Sequence, residues 1–154
     1  MKDNTVTTAD GVEVYTSQIT EIADRYISDL EDKESIYDYT VFTDMLLSIS
    51  DNMTPINNYN DITVLDNLFN IYKRLCSKYR VLPTLYDFSM MINIDPSTIT
   101  RWMNGETRGG LTSEHCKTAK KWKQYCAGRL ASNLSNSKGT DANKIFIAKA
   151  AYGM

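Results

Sequence analysis

Apolar residues recur at intervals of three and four in segment after segment of this chain, a spacing that restricts it to helices burying one face each. The first stripe, Ile19, Ile22, Ala23, Tyr26, Ile27 and Leu30, predicts an amphipathic helix starting at Ser17. A second run, Tyr37 to Ile49, carries Val41, Phe42, Met45, Leu46 and Ile49 and predicts its antiparallel neighbour. Leu68, Ile71, Tyr72, Leu75 and Tyr79 follow, in a helix that Thr63 and Asp66 open with the spacing of a capping box. Residues 113–134 give another helix through Cys116, Ala119, Trp122 and Cys126, weakened at Gly128, and Asp141 caps a short one carrying Ile145, Phe146, Ala148 and Ala151. The expected fold class is all-α.

At 154 residues, with 42% apolar and 23% charged side chains, the chain suits one ordinary domain or two small helical units. Its net charge of -2 hides an asymmetry. Residues 1–66 hold 14 Asp and Glu against three Lys and Arg, a net of -11; residues 67–154 hold 14 Lys and Arg against five Asp and Glu, a net of +9. Between the halves runs SDNMTPINNYNDI (50–62), whose Asn, Asp, Ser and Pro favour turns over a continuing helix. The organisation read from this is a flexible arm over 1–16, an acidic helical hairpin with its linker over 17–62, and a basic domain over 63–154. Only the second half has the charge to meet a polyanion.

Several function classes lack their residues. No apolar run approaches the roughly 20 residues of a membrane span, and the first twenty residues have no basic-then-apolar signal, so the expected compartment is the cytoplasm and no membrane partner is expected. Cys76, Cys116 and Cys126 are odd in number and widely spaced, as reduced thiols would be. The one histidine, His115, stands beside Cys116, but the ten-residue step to Cys126 is no zinc spacing, and no metal or other cofactor is expected. Without a Gly-rich phosphate loop and its Lys, a Ser/His/Asp set or paired histidines, the chain reads as a non-enzyme.

The segment with functional content is residues 84–104. Thr84 and Asp87 have capping-box spacing and open a helix, LYDFSMMI, that buries Leu85, Phe88 and Ile92. Asn93 suits a left-handed turn, Ile94 returns to the core, Asp95 is an N-cap, and Pro96 fits the first helical position. Two helices across a turn of about three residues make a helix-turn-helix. In the second helix Ile99, Trp102 and Met103 share one face, and Ser97, Thr98, Thr100, Arg101 and Asn104 share the other. Nine residues span about 13 Å, which fits a major groove about 12 Å wide. Arg101 has the fork for a guanine, and Thr98 and Thr100 suit phosphates or a thymine methyl.

The surroundings point the same way. In NGETRGG, Gly105, Gly109 and Gly110 free the backbone to turn, and Arg108 reaches for a phosphate. Lys117, Lys120, Lys121 and Lys123 cluster on about two turns of the next helix, interleaved with Trp122 and Tyr125; the first three fall on one face, as phosphate contacts or as an ordinary solvated surface. An ordinary helical hairpin is the plain alternative to the whole unit. Double-stranded DNA is the expected partner.

The arrangement PTLYDFSMMINIDPSTITRWMNG, followed by GTDANKIFIAKAAYGM, resembles the small terminase subunits of tailed phages and related mobile elements. In that family a helix-turn-helix precedes a helix ending in Phe-x-x-Lys, two residues, then aromatic-Gly-Trp. Phe146, Lys149, Tyr152 and Gly153 match; Ala148 stands for a usual Leu, Ala150 for a usual Asn and Met154 for the terminal Trp. The resemblance covers residues 65–154. It implies a DNA-recognition subunit, a homo-oligomer that presents DNA to a terminase large subunit; the acidic half has no counterpart in the family and is open to self-association or another protein. Two other readings stand beside it: a mobile-element transcription regulator using the same unit as a dimer, and a phage inhibitor of a host defence nuclease acting through the acidic half.

Overall fold

The computed structural model describes residues 12–106 and 109–136, with side chains from Tyr15 to Leu134. Among these, the secondary structure is helical throughout, with no strand. Six α-helices follow in order: α1 (Val12–Ser28), α2 (Tyr39–Asn52), α3 (Ile62–Lys78), α4 (Leu85–Met91), α5 (Pro96–Met103) and α6 (Glu114–Asn136). Short 3-10 turns at Lys33–Tyr37 and Gly110–Thr112 lead into α2 and α6. The chain is thus all-α over its described length.

Helices start where a short polar side chain can take an orphan backbone N–H. Asp38 accepts from Thr40 N at 2.8 Å to open α2, and Asp95 from Ser97 N at 2.9 Å to open α5, with Pro96 in the first turn. At α3 the cap is Asp61, which accepts from Thr63 N at 3.1 Å and Val64 N at 3.3 Å. The Thr63/Asp66 box expected from the sequence is displaced by two residues, because Asp66 is needed elsewhere: its Oδ1 accepts from Trp122 Nε1 at 2.8 Å. Thr84 caps α4 as expected, accepting from Asp87 N at 3.0 Å, but the reciprocal half is missing. Thr84 N donates to the Tyr72 hydroxyl at 2.9 Å instead, and the Asp87 carboxylate is occupied by Tyr39.

α1 begins at Val12, five residues before the expected start, and packs on α2 and α3; α2 packs on α4, and α6 closes on α3 and α5. The buried residues form one contiguous cluster running from Ile19 and Phe42 through Leu65 and Phe69 to Trp102 and Trp122. Its centre is aromatic. Phe69 meets Phe88 edge-on at 5.0 Å and stacks on Trp122 at 5.4 Å, and Phe88 meets Trp122 at 5.2 Å, which ties α3, α4 and α6 together. Each such pair adds about 0.5–1.5 kcal/mol beyond burial.

The stretch 50–62 is packed where a linker was expected. α2 runs on to Asn52, and Met53 and Ile56 are buried in the common core. Gln18 of α1 holds Thr54 from both sides, its Nε2 donating to Oγ1 and its Oε1 accepting from N, each at 2.7 Å. The Asn and Asp residues serve as turn and cap formers, Asn58 accepting from Asn60 N at 3.0 Å. The helix expected after Asp141 lies outside the described residues.

Candidate nucleic-acid interface

Four residues separate Met91 of α4 from Pro96 of α5, and the backbone turns there through Asn93 at φ 60°. Asn tolerates this left-handed conformation because its short amide bonds locally. Ile94 N donates to Ser89 O at 2.9 Å, and Ile92 and Ile94 on either side are buried, so the turn is fastened to the core at both ends. Beyond α5, Gly105, Gly109 and Gly110 all have φ between 70° and 92°.

α5 divides as its spacing predicts. Ile99 and Trp102 are buried, each 2% exposed, and the Trp102 ring meets His115 edge-on at 4.9 Å. Ser97, Thr100, Arg101 and Asn104 are exposed on the far side; Thr98 is half-buried on the flank. Thr100 Oγ1 donates back to Pro96 O at 3.3 Å, and Asn104 Nδ2 donates to Glu106 Oε2 at 3.2 Å. Arg101 faces solvent, and its charge, after the Ser97 hydrogen bonds, helps hold the Asp95 carboxyl below the usual carboxylate range. Arg108 lies outside the described residues.

The lysines of α6 separate into two groups. Lys120, with Lys123, lines a groove of about 1120 Å³ beside α5, which Thr100 and Asn104 line as well. Lys117 and Lys121 are exposed but not in that groove, and Lys117 pairs with Glu114 at 3.5 Å, a surface contact worth little. Tyr37, Tyr39, Arg80 and Tyr86 also line it. Sequence reasoning passed over these four. Tyr86 sits between two core-facing positions of α4, and the others come from elements that only packing brings alongside α5.

Asp87, 2% exposed, is the buried acid of this region. Its two oxygens accept from the Tyr39 hydroxyl at 3.1 and 2.8 Å. Burial pushes the carboxyl above its usual range, and the hydrogen bonds from Tyr39 and Thr84 pull partly back. Burial likewise raises the Tyr39 hydroxyl. His115 Nε2 donates to the Tyr59 carbonyl at 2.7 Å, so the imidazole edge beside Cys116 is engaged in holding the 50–62 segment against α6. Among the described residues no three of His, Cys, Asp or Glu gather as a metal would need, and no helix is long and apolar enough to cross a membrane.

No protein-family model, curated protein or solved structure matches this chain.

Proposed function

We propose that the chain is a DNA-binding protein in which α4, the turn and α5 act as a helix-turn-helix, with α5 entering the major groove of duplex DNA. The observation that carries this reading is the division of α5. Ile99 and Trp102 fix it to the core, while Ser97, Thr100, Arg101 and Asn104 stand exposed on a capped, eight-residue helix. Hydroxyl and amide groups at this spacing permit close approach to base edges, and Arg101 supplies the bidentate donor for a guanine. Lys120 on the adjoining helix supplies a cation for a phosphate.

The acidic residues nearby set limits on how this face works. Glu106 holds Asn104, so a base contact by Asn104 requires that pair to open. The resemblance of residues 65–154 to terminase small subunits makes the finer proposal a homo-oligomeric packaging subunit of a phage or mobile element, with no catalytic role of its own.

The test is selection of a preferred duplex from a random library, followed by binding of Arg101→Ala and Ser97→Ala to it. Loss of a bidentate guanine contact costs about 1–3 kcal/mol, so Arg101→Ala is expected to bind about five- to 150-fold more weakly and to relax one base position. A library that yields no preferred sequence, or an Arg101→Ala variant with undiminished affinity, refutes the reading.

A further inference from the structure

Five large hydrophobic side chains are exposed on the described surface, and three of them, all tyrosines, stand on the walls of one groove. Tyr37, Tyr39 and Tyr86 are 45%, 53% and 65% exposed, while Leu47 and Leu111 lie elsewhere. Apolar side chains scattered singly over a surface need no explanation; rings gathered in a concavity do.

The same walls carry three cations, Arg80, Lys120 and Lys123. The Arg80 guanidinium lies 4.9 Å from the centre of the Tyr37 ring, and its backbone sits at φ 60°. That left-handed conformation is the turn that ends α3, where Val81 N donates to Cys76 O at 2.9 Å. Among the described residues the one carboxylate in the wall, Asp87, is buried and faces the Tyr39 hydroxyl. Asp38, between two of the tyrosines in sequence, is not in the wall and caps α2. Flat rings and cations therefore stand around an apolar floor that includes Val81, Leu85, Met103 and Leu130, without a free acid among the described residues of the lining.

We propose that this groove binds a short single-stranded segment of nucleic acid, a base stacked on Tyr86 and its phosphates against Arg80, Lys120 and Lys123. Stacking platforms beside a basic track are what a single strand needs, since every base offers a flat face and every phosphate a charge. A duplex keeps those faces inside its own stack. The groove shares Thr100, Asn104 and Lys120 with the exposed side of α5, so a single strand and a duplex would compete for them, but stacking on Tyr86 does not require α5 to enter a major groove.

The experiment is fluorescence anisotropy of a labelled oligothymidylate with the full-length protein and with Tyr86→Ala, Tyr86→Phe and Lys123→Ala. Tyr86→Ala is expected to weaken binding about fivefold or more, and Tyr86→Phe, which keeps the ring, to bind like the parent. Lys123→Ala is expected to weaken binding and to lower the salt slope by about 0.7, the share of one single-strand phosphate. A short duplex in the same assay keeps the two surfaces apart: loss in Arg101→Ala concerns α5, and loss in Tyr86→Ala with oligothymidylate concerns the groove. Absence of oligothymidylate binding, or binding indifferent to Tyr86→Ala, overturns the proposal. So does an acidic amphipathic peptide of Glu and Leu that binds in place of the oligonucleotide and is lost in Lys123→Ala, which would make the groove a protein-docking site.

Discussion

A buried carboxylate is tolerated only with a partner, and Asp87 has one in Tyr39, 48 residues away. Burial makes ionisation of Asp87 harder in the folded chain than in the unfolded one, and the Tyr39 hydrogen bond offsets part of that by favouring the charged form. The stability due to this bond is present while Asp87 is ionised and is lost as pH falls through its raised folded range. Tyr39→Phe is therefore expected to destabilise the protein at neutral pH by about 1–2 kcal/mol, the low end for a hydrogen bond to a charge because Tyr39 is half exposed. The penalty should shrink as the solution is acidified, read as urea midpoints at neutral and mildly acidic pH. Equal penalties at both would mean that Asp87 is not the group being stabilised. Burial also pushes the Cys76 and Cys126 thiols up to about 12, where little reactive thiolate exists near neutrality. Both are expected to resist a thiol reagent in the native protein and to react promptly in urea; prompt native reaction would place them at the surface.

Elements here are short, and their ends matter as much as their faces. α5 has eight residues, too few to be stable alone in water, so its position depends on Ile99 and Trp102 and on the connection to α6. Gly105 makes that connection possible. Its φ is 70°, and a Cβ there would lie 2.7 to 2.8 Å from Leu111 side-chain and backbone atoms. Gly105→Ala is expected to cost about 1–3 kcal/mol from the left-handed backbone, with the contact on Leu111 N adding to it. Thermal melting measures the loss, and an unchanged midpoint would show that the turn rearranges freely. The N-cap of α5 has its own pH signature. The lowered Asp95 carboxyl supports the helix above the unfolded carboxylate range, and that support is lost as pH falls through its folded range.

Across the molecule the acidic and basic halves share one core, with Ile49 of α2 and Trp122 of α6 in the same buried cluster. Ile49→Ala removes a fully buried side chain and is expected to cost about 2–5 kcal/mol. Because Trp102 and Trp122 belong to the same cluster, their fluorescence should report the loss, with one urea transition that coincides with circular dichroism. A tryptophan transition left in place by Ile49→Ala would mean that the two halves unfold separately.

Much of the helical pattern was legible in the sequence because its signals act within one turn. Stripes at three and four, Asp95 with Pro96, Thr84 before Leu85 and left-handed Asn93 each depend on neighbours a few residues away, and each has its counterpart in the structure. The division of α5 into Ile99 and Trp102 on one side and Ser97, Arg101 and Asn104 on the other was legible for the same reason. Partners distant in the chain were not. Asp66 caps nothing because Trp122, 56 residues on, takes its carboxylate, and Asp87 leaves its capping box for Tyr39. The stretch 50–62 has the composition of a linker, yet Met53, Ile56 and the His115 bond to Tyr59 bring it into the core. The groove beside α5 belongs to this second kind as a concavity, although Thr100, Asn104 and Lys120 in its lining stand out one by one in the sequence. Tyr37, Arg80, Tyr86 and Lys123 come from separate elements, and only the packing of α2, α4 and α6 makes them neighbours, since a concave surface is a property of how helices meet and not of any one of them.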